Sequence, residues 1–286
     1  MLENKIKLIE CPRDAMQGMS EFVPTADKVS YINSLLNCGF DTIDFGSFVS
    51  PTAIPQMRDT AEVLSRINLS KTNSKLLAII ANERGAQDAC SFDEIDYVGF
   101  PFSVSEEFQK RNTNSTIEES LKKVESIQNH TKKSGKDLVV YLSMGFGNPY
   151  GEEWSPDLVL SWSEKLVKLF GINIIAISDT IGSAKIEDIH YLFKTLIPEL
   201  PKVEFGAHMH VRPENTIEII SAAFMAGCRR FDGAIRGFGG CPMAKDDLTG
   251  NVPTELMVNY FNSINIDTGL NEAAFKNSLE HSTLIF

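Results

Sequence analysis

A (β/α)8 TIM barrel is the fold this sequence predicts, and three observations lead to it. Strand-like and helix-like segments alternate along nearly all of the 286 residues. Eight apolar runs of strand length can be picked out, the number a closed barrel needs. No Gly-rich dinucleotide fingerprint follows the first run, which weighs against the structural alternative, an open doubly wound sheet.

The strand-like runs are IKLIEC, DTIDFG, KLLAII, EIDYVGF, DLVVYLS, INIIAIS, KVEFGAHMH and RRFDGAI. INIIAIS is β-branched and apolar throughout, as a strand covered on both faces should be. The helix ADKVSYINSLLNCG turns Val29, Ile32 and Leu35 or Leu36 inward. In STIEESLKKVESIQNHTKKSG, Ser115 and Glu118 have the spacing of a capping box, and Gly135 marks the end. SPDLVLSWSEKLVKLFG opens with Ser155 as N-cap and Pro156 in the first turn, and closes at Gly171. Its Leu158, Trp162, Leu166 and Leu169 recur at helical spacing and form one apolar stripe. ENTIEIISAAFMAG leads into the last strand, and the tail from residue 267 on reads as a short helical extension outside the barrel. No repeat, low-complexity tract or linker divides the chain, so residues 1–286 read as one catalytic domain.

The net charge of −11 weighs against nucleic acid or an anionic membrane as partner, but leaves room for an anionic small molecule at a local cationic cluster. Cys11, Cys38, Cys90, Cys228 and Cys241 include no pair spaced as a zinc knuckle or redox dithiol, which points to a reducing compartment. MLENKIKLIECPRD has neither signal-peptide nor transit-peptide character, and no apolar run is long enough to cross a bilayer. The expected location is the cytoplasm. Pairing into a homodimer through outer helices is left open.

Barrel enzymes carry their chemistry at the C-terminal ends of the strands. That rule turns the strand reading into candidates. Strand one runs into Arg13, Asp14 and Gln17; strand two carries Asp44; strand six ends at Asp179. Strand seven ends in His208 and His210, and strand eight runs into Arg236, Cys241 and Asn251. Residues i and i+2 of a strand face one side, so the two imidazoles of HMH point to one spot. Closure sets strand one beside strand eight and strand eight beside strand seven. Asp14, His208, His210 and Asn251 then converge on one sector of the mouth. One carboxylate, two imidazoles and an amide oxygen suit Mg2+ or Mn2+ better than a thiol-rich zinc site. Plainer readings stand beside these. PRD is compatible with a turn, Asn251 with an N-cap of the last helix, Asp179 with the opening of the SDTIGS turn, and Cys241 with a structural thiol.

PRDAMQ, SFVSPTAIPQMRDTAEVL, FQKRNTNSTIEES, SDTIG, HMH and GFGGCPMAKDDLTGNVPTE resemble, in order, the hydroxymethylglutaryl-CoA lyase family. The resemblance implies divalent-metal-dependent cleavage of 3-hydroxy-3-methylglutaryl-CoA, or a closely related 3-hydroxy-acyl-CoA, to acetyl-CoA and acetoacetate. It implies Asp14, His208, His210 and Asn251 as metal ligands, Arg13 as the group stabilising the enolate oxygen, and a proton-transfer role for Asp179. His208 joins the catalytic set, Cys241 acts from a loop over the substrate, and Gln17 and Asp44 are expected at the substrate. The chain departs from the family pattern where the acyl chain and coenzyme would be recognised. GMSE follows PRDAMQ in place of Asn-Glu-Lys, Cys11 replaces a glycine, Asp44 replaces Glu, and Val211-Arg212-Pro213 follows the histidines. Two rivals remain: an aldolase or 2-oxo acid condensing synthase of the same superfamily, and a non-catalytic acyl-CoA-binding barrel.

Overall fold

The structure is a computed structural model that describes residues 5–240 and 249–286. Its elements run β1 (Lys7–Glu10), α1 (Pro12–Gln17), α2 (Thr25–Leu36), β2 (Thr42–Ser47), α3 (Thr60–Arg66), β3 (Lys75–Ile79), α4 (Glu83–Cys90), β4 (Tyr97–Ser103), α5 (Glu106–Thr113), α6 (Ile117–Lys133) and β5 (Asp137–Ser143). They continue as α7 (Pro156–Phe170), β6 (Ile174–Asp179), α8 (Ile186–Glu199), β7 (Glu204–Val211), α9 (Thr216–Met225), β8 (Arg230–Gly233), β9 (Gly250–Asn251), α10 (Thr254–Ser263) and α11 (Glu272–His281). The first eight strands lie in the order β6-β5-β4-β3-β2-β1-β8-β7, and β6 pairs with β7, so the parallel sheet closes into the expected barrel. α11 and the short turn at Ser282–Leu284 form the C-terminal helical extension. Among the described residues, no helix is long and apolar enough to cross a membrane.

Side-chain alternation splits the core into two layers. On β5, Leu138, Val140 and Leu142 join the large outer layer beneath the helices, while Val139 and Tyr141 join an inner cluster with Leu77, Tyr97, Ile174 and Ala176. The opposite wall of the interior is charged. Across β7, β8 and β1, Glu204 pairs with both Arg230 and Lys7 near the N-terminal ends of the strands. Gly206 faces Arg230 in register, and a Cβ there would stand 2.9 Å from the Arg230 Cδ, so glycine makes room for the buried guanidinium.

Several local expectations shift. The capping box of α6 is Thr116 with Glu119, one residue later than expected, because Ser115 turns inward to hydrogen-bond Thr113 and Ser120. α7 is capped by Ser155, Pro156 and Gly171 as expected, but it buries Val159, Ser163 and Leu166, leaving Leu169 61% exposed. Ser163 is tolerated on the buried face because its hydroxyl donates to the Val159 carbonyl. β4 starts at Tyr97 rather than Glu94. Asn251 does not cap α10; that helix starts after Pro253, and Asn251 lies in β9, antiparallel to β7 and opposite His210.

Glu10 ties the barrel to the segment after β8. It is fully buried, and its carboxylate accepts from the Ile235 N–H (2.8 Å) and the Thr254 hydroxyl (2.6 Å). Burial pushes its pKa up to about 8. A carboxyl raised in this way contributes stability that is complete below its ordinary pKa and is lost as pH rises through about 8. Glu10→Gln keeps the shape without the charge. Its melting temperature should hold between about pH 6 and pH 9, while the wild type falls several degrees relative to it. Melting curves of the two proteins that shift in parallel with pH would refute this.

Candidate active site

Pro12 begins α1 directly after β1, its fixed φ suited to a first helical position, so one helical turn delivers Arg13, Asp14 and Gln17 to the barrel mouth. Arg13 is 6% exposed and lies between two carboxylates. Its Nε and Nη2 donate to Asp44, and its Nη1 donates to Asp14 Oδ1 (2.7 Å) and Gln17 Oε1 (3.0 Å). Gln17 Nε2 donates to the same Asp14 oxygen at 2.6 Å. Burial opposes the charge on Asp14, yet Arg13 and the two histidines outweigh it and hold its pKa below the ordinary carboxylate value. For Asp44 burial wins, and its pKa is pushed up to about 6 despite Arg13.

Ligand atoms of Asp14, His208 and His210 all lie within 4.8 Å of one another, and all three residues are buried. Each imidazole is anchored by its Nδ1. That of His208 is 3.0 Å from Asp232 Oδ2, and that of His210 donates to the Thr180 carbonyl at 3.0 Å. The His210 Nε2 is left buried with no hydrogen-bond partner. Burial, reinforced by His208, lowers the His210 pKa to about 4, so this ring is neutral near pH 7 with its lone pair toward the cluster. An orphaned imidazole nitrogen beside a carboxylate is the pattern that a cation completes. The Asn251 amide donates both its hydrogens, to Asp14 Oδ2 (2.7 Å) and the Phe238 carbonyl (2.9 Å), so its oxygen is the atom left to offer a metal.

A second set, Cys11, His208 and Asp232, has equally close atoms. It reads as support for the first. The His208 Nδ1 is already engaged with Asp232, and burial followed by the nearby carboxylates pushes the Cys11 thiol well up, keeping it protonated.

The cluster lies at one end of a cavity of about 680 Å³ that reaches across the mouth to α5. Arg13, Asp14, Gln17, His208 and His210 line it, with Tyr141 and Thr180. Asp44, expected at the substrate, and Asp179, expected in proton transfer, are not among the lining residues. Asp44 is fully buried with both oxygens on Arg13. Asp179 accepts from the backbone N–H groups of Ser183 (3.0 Å) and Ala184 (2.8 Å), organising the turn that carries Thr180. Its carboxylate therefore faces the chain rather than the cavity. Cys241 lies outside the described residues. Of the cations near the mouth, Arg111 lines the cavity, held by Glu107 and the face of Tyr150.

Sequence reasoning missed Asp232, Tyr141 and the Thr180 carbonyl. Asp232 had a signal, a lone acid in the apolar run RRFDGAI whose register sets it opposite His208. Tyr141, edge-on to His208 with ring centroids 5.2 Å apart, looks in sequence like any core aromatic. A backbone carbonyl leaves no trace in sequence at all.

A family model described as HMGL-like matches residues 5–280. The chain is 31% identical to the hydroxymethylglutaryl-CoA lyase of Bacillus subtilis, over 91% of this chain and 85% of that protein. It is 30% identical to the 3-hydroxy-3-isohexenylglutaryl-CoA/hydroxymethylglutaryl-CoA lyase of Pseudomonas aeruginosa, over 94% of this chain and 89% of that one. Its structure is similar to that of an HMG-CoA lyase from Acenitobacter baumannii in complex with coenzyme A and 3-methylmalate. The TM-score is 0.90 at 29% identity, covering 98% of this chain and 90% of the other.

The anchoring of His208 makes a testable demand on Asp232. Asp232→Asn presents a donor to the ring and favours the tautomer protonated at Nε2, which cannot ligate. Mn2+ affinity, followed by titration, should fall roughly ten- to a hundredfold while the circular dichroism stays native. Unchanged affinity would remove Asp232 from the site.

Proposed function

The chain belongs to the HMGL-like family of carbon–carbon lyases, and from that premise we propose that it cleaves 3-hydroxy-3-methylglutaryl-CoA, or a closely related 3-hydroxy-acyl-CoA, to acetyl-CoA and acetoacetate. The observation that carries this reading is the buried Asp14–His208–His210 cluster beside Arg13 at the end of the cavity. Coenzyme A in the related structure supports a thioester substrate, and the polar rim of Asn112, Thr113, Asn114 and Arg111 offers it hydrogen bonds.

In this reading Asp14, His208, His210 and the Asn251 oxygen hold Mg2+ or Mn2+. A cation held there would supply Lewis acidity toward the substrate's tertiary hydroxyl, which would ease loss of its proton. Burial opposes the charge on His208, yet the hydrogen bond and charge of Asp232 at Nδ1 raise its pKa, so the ring offers an Nε2 lone pair only in its neutral form. That lone pair is able to ligate or to accept the hydroxyl proton, though not both at once. Four of the five Arg13 N–H groups are committed to Asp44, Asp14 and Gln17, leaving one Nη2 hydrogen for the enolate oxygen that develops as the C–C bond breaks. A fixed donor of this kind is worth about 3 kcal/mol of barrier. Asp44 then acts as the clamp that aims Arg13, and Asp179 as a positioning group that acts through Thr180 on His210. Cys241 keeps the role the sequence resemblance implies, a thiol brought over the substrate.

The test is acetoacetate release from 3-hydroxy-3-methylglutaryl-CoA by EDTA-treated protein, before and after adding Mg2+ or Mn2+. Turnover only with the cation is the expected outcome. Cation binding without turnover on this thioester would redirect the reading to larger 3-substituents or to 2-oxo acid condensation, and no cation binding would overturn the site.

A further inference from the structure

The segment leaving β8, residues 234–240, is gripped from two sides. On the inner side, the Phe238 carbonyl accepts from Asn251 Nδ2 at 2.9 Å, the same amide that donates to Asp14 Oδ2 at 2.7 Å. The next residue packs just as closely. A Cβ at Gly239 would fall 2.6 Å from Asn251 Nδ2 and 2.6 Å from the Asp14 carbonyl. On the outer side, the Phe238 ring stacks on Phe286, with centroids 4.6 Å apart and planes 18° from parallel. Phe286 in turn meets the edge of Tyr31, a residue of α2 that is 1% exposed.

Arg236 supplies the second grip. It is a non-glycine residue at φ 65°, a left-handed conformation that needs outside support. Its Nε donates to Ser282 Oγ (2.8 Å), its Nη2 to the Leu279 carbonyl (3.2 Å) and its backbone N–H to Glu255 (3.0 Å). Two consecutive turns of the C-terminal extension therefore hold two residues of this segment, Arg236 and Phe238.

We propose that Phe286 and Arg236 are positioning residues for the metal site. By fixing the segment against α11 and the turn after it, they set the Phe238 carbonyl where it orients the Asn251 amide, and through that amide Asp14. Both amide hydrogens of Asn251 need acceptors before its oxygen is presented in one direction. A displacement of about 1 Å at Phe238 takes one of those bonds beyond its useful range and frees the amide to rotate. The inference rests on the reading above in that it takes Asp14 and Asn251 as ligands, but the contacts themselves require no cation.

The experiment compares Phe286→Ala, Phe286→Tyr and a control, Phe275→Ala, which removes the α11 ring packed on Phe40 and leaves the Phe238 stack in place. The first readout is the Asn251 side-chain NH2 resonance of metal-free protein in 15N–1H NMR; the second is Mn2+ affinity by electron paramagnetic resonance. Phe286→Ala should shift and broaden the Asn251 resonance and weaken Mn2+ binding roughly tenfold, as loss of a partner that orients a ligand does. Phe286→Tyr should restore both, and Phe275→Ala should lower the melting temperature without moving either. An Asn251 resonance unmoved in Phe286→Ala overturns the proposal. So does an equal effect of Phe275→Ala, which would mean general loosening. If wild-type protein binds no Mn2+, the cation reading falls by itself, and the Asn251 resonance still decides whether this clamp exists.

Discussion

The Arg13 guanidinium, held between Asp44 and Asp14, is the interaction on which the mouth of this barrel depends. Two carboxylates that are 0% and 5% exposed cannot both stay ionised without a compensating charge. Arg13 is itself buried and is stabilised by the same pair, which raises its pKa in spite of burial. The planar fork of the guanidinium matters here, since Nε and Nη2 grip Asp44 while Nη1 reaches Asp14. A lysine would supply the charge without the orientation. Held this way, Asp14 remains anionic beside the histidines, and Arg13 lines the cavity.

Barrel closure determines which residues share that mouth. β1 is seated between β2 and β8, so Arg13 meets Asp44 on one side while Asp14 meets Asn251, which follows β8, on the other. β7 lies between β6 and β8, so His208 meets Asp232 from β8, and His210 meets the Thr180 carbonyl just beyond β6. The antiparallel β9 adds Asn251 opposite His210. Each candidate ligand is therefore anchored by a different neighbouring element. Such a site does not rely on a single loop to hold it.

Parts of this arrangement were legible in the chain. Asp14 directly after a strand-like run, and the i,i+2 spacing of His208 and His210, follow from strand geometry alone, and the order of eight strands puts them side by side once the barrel closes. Other parts were not. Asp44 looks in sequence like an acid facing a substrate, and Asp179 is compatible with proton transfer as well as with the opening of its turn. Both carboxylates are consumed internally, one by Arg13 and one by backbone N–H groups. Leu169 fits the apolar stripe of its helix yet is exposed, because the inward face of α7 runs through Val159, Ser163, Leu166 and the partly buried Phe170, with the Ser163 hydroxyl hidden against the helix backbone.

By itself, the sequence determined the alternation of strands and helices, the closed barrel that eight such units imply, the resemblance to a lyase family, and the cluster of N and O donors. These follow from periodicity, spacing and residue chemistry, which are local properties of the chain. Only the tertiary structure decided which acids keep their charge, which ring nitrogen faces the cluster, and which groups support the ligands. Asp232, the Thr180 carbonyl, and the path from Phe286 through Phe238 to Asn251 belong to that second class. Their effect depends on burial and on distances of about 3 Å between segments remote in sequence, and neither exists until the barrel has closed.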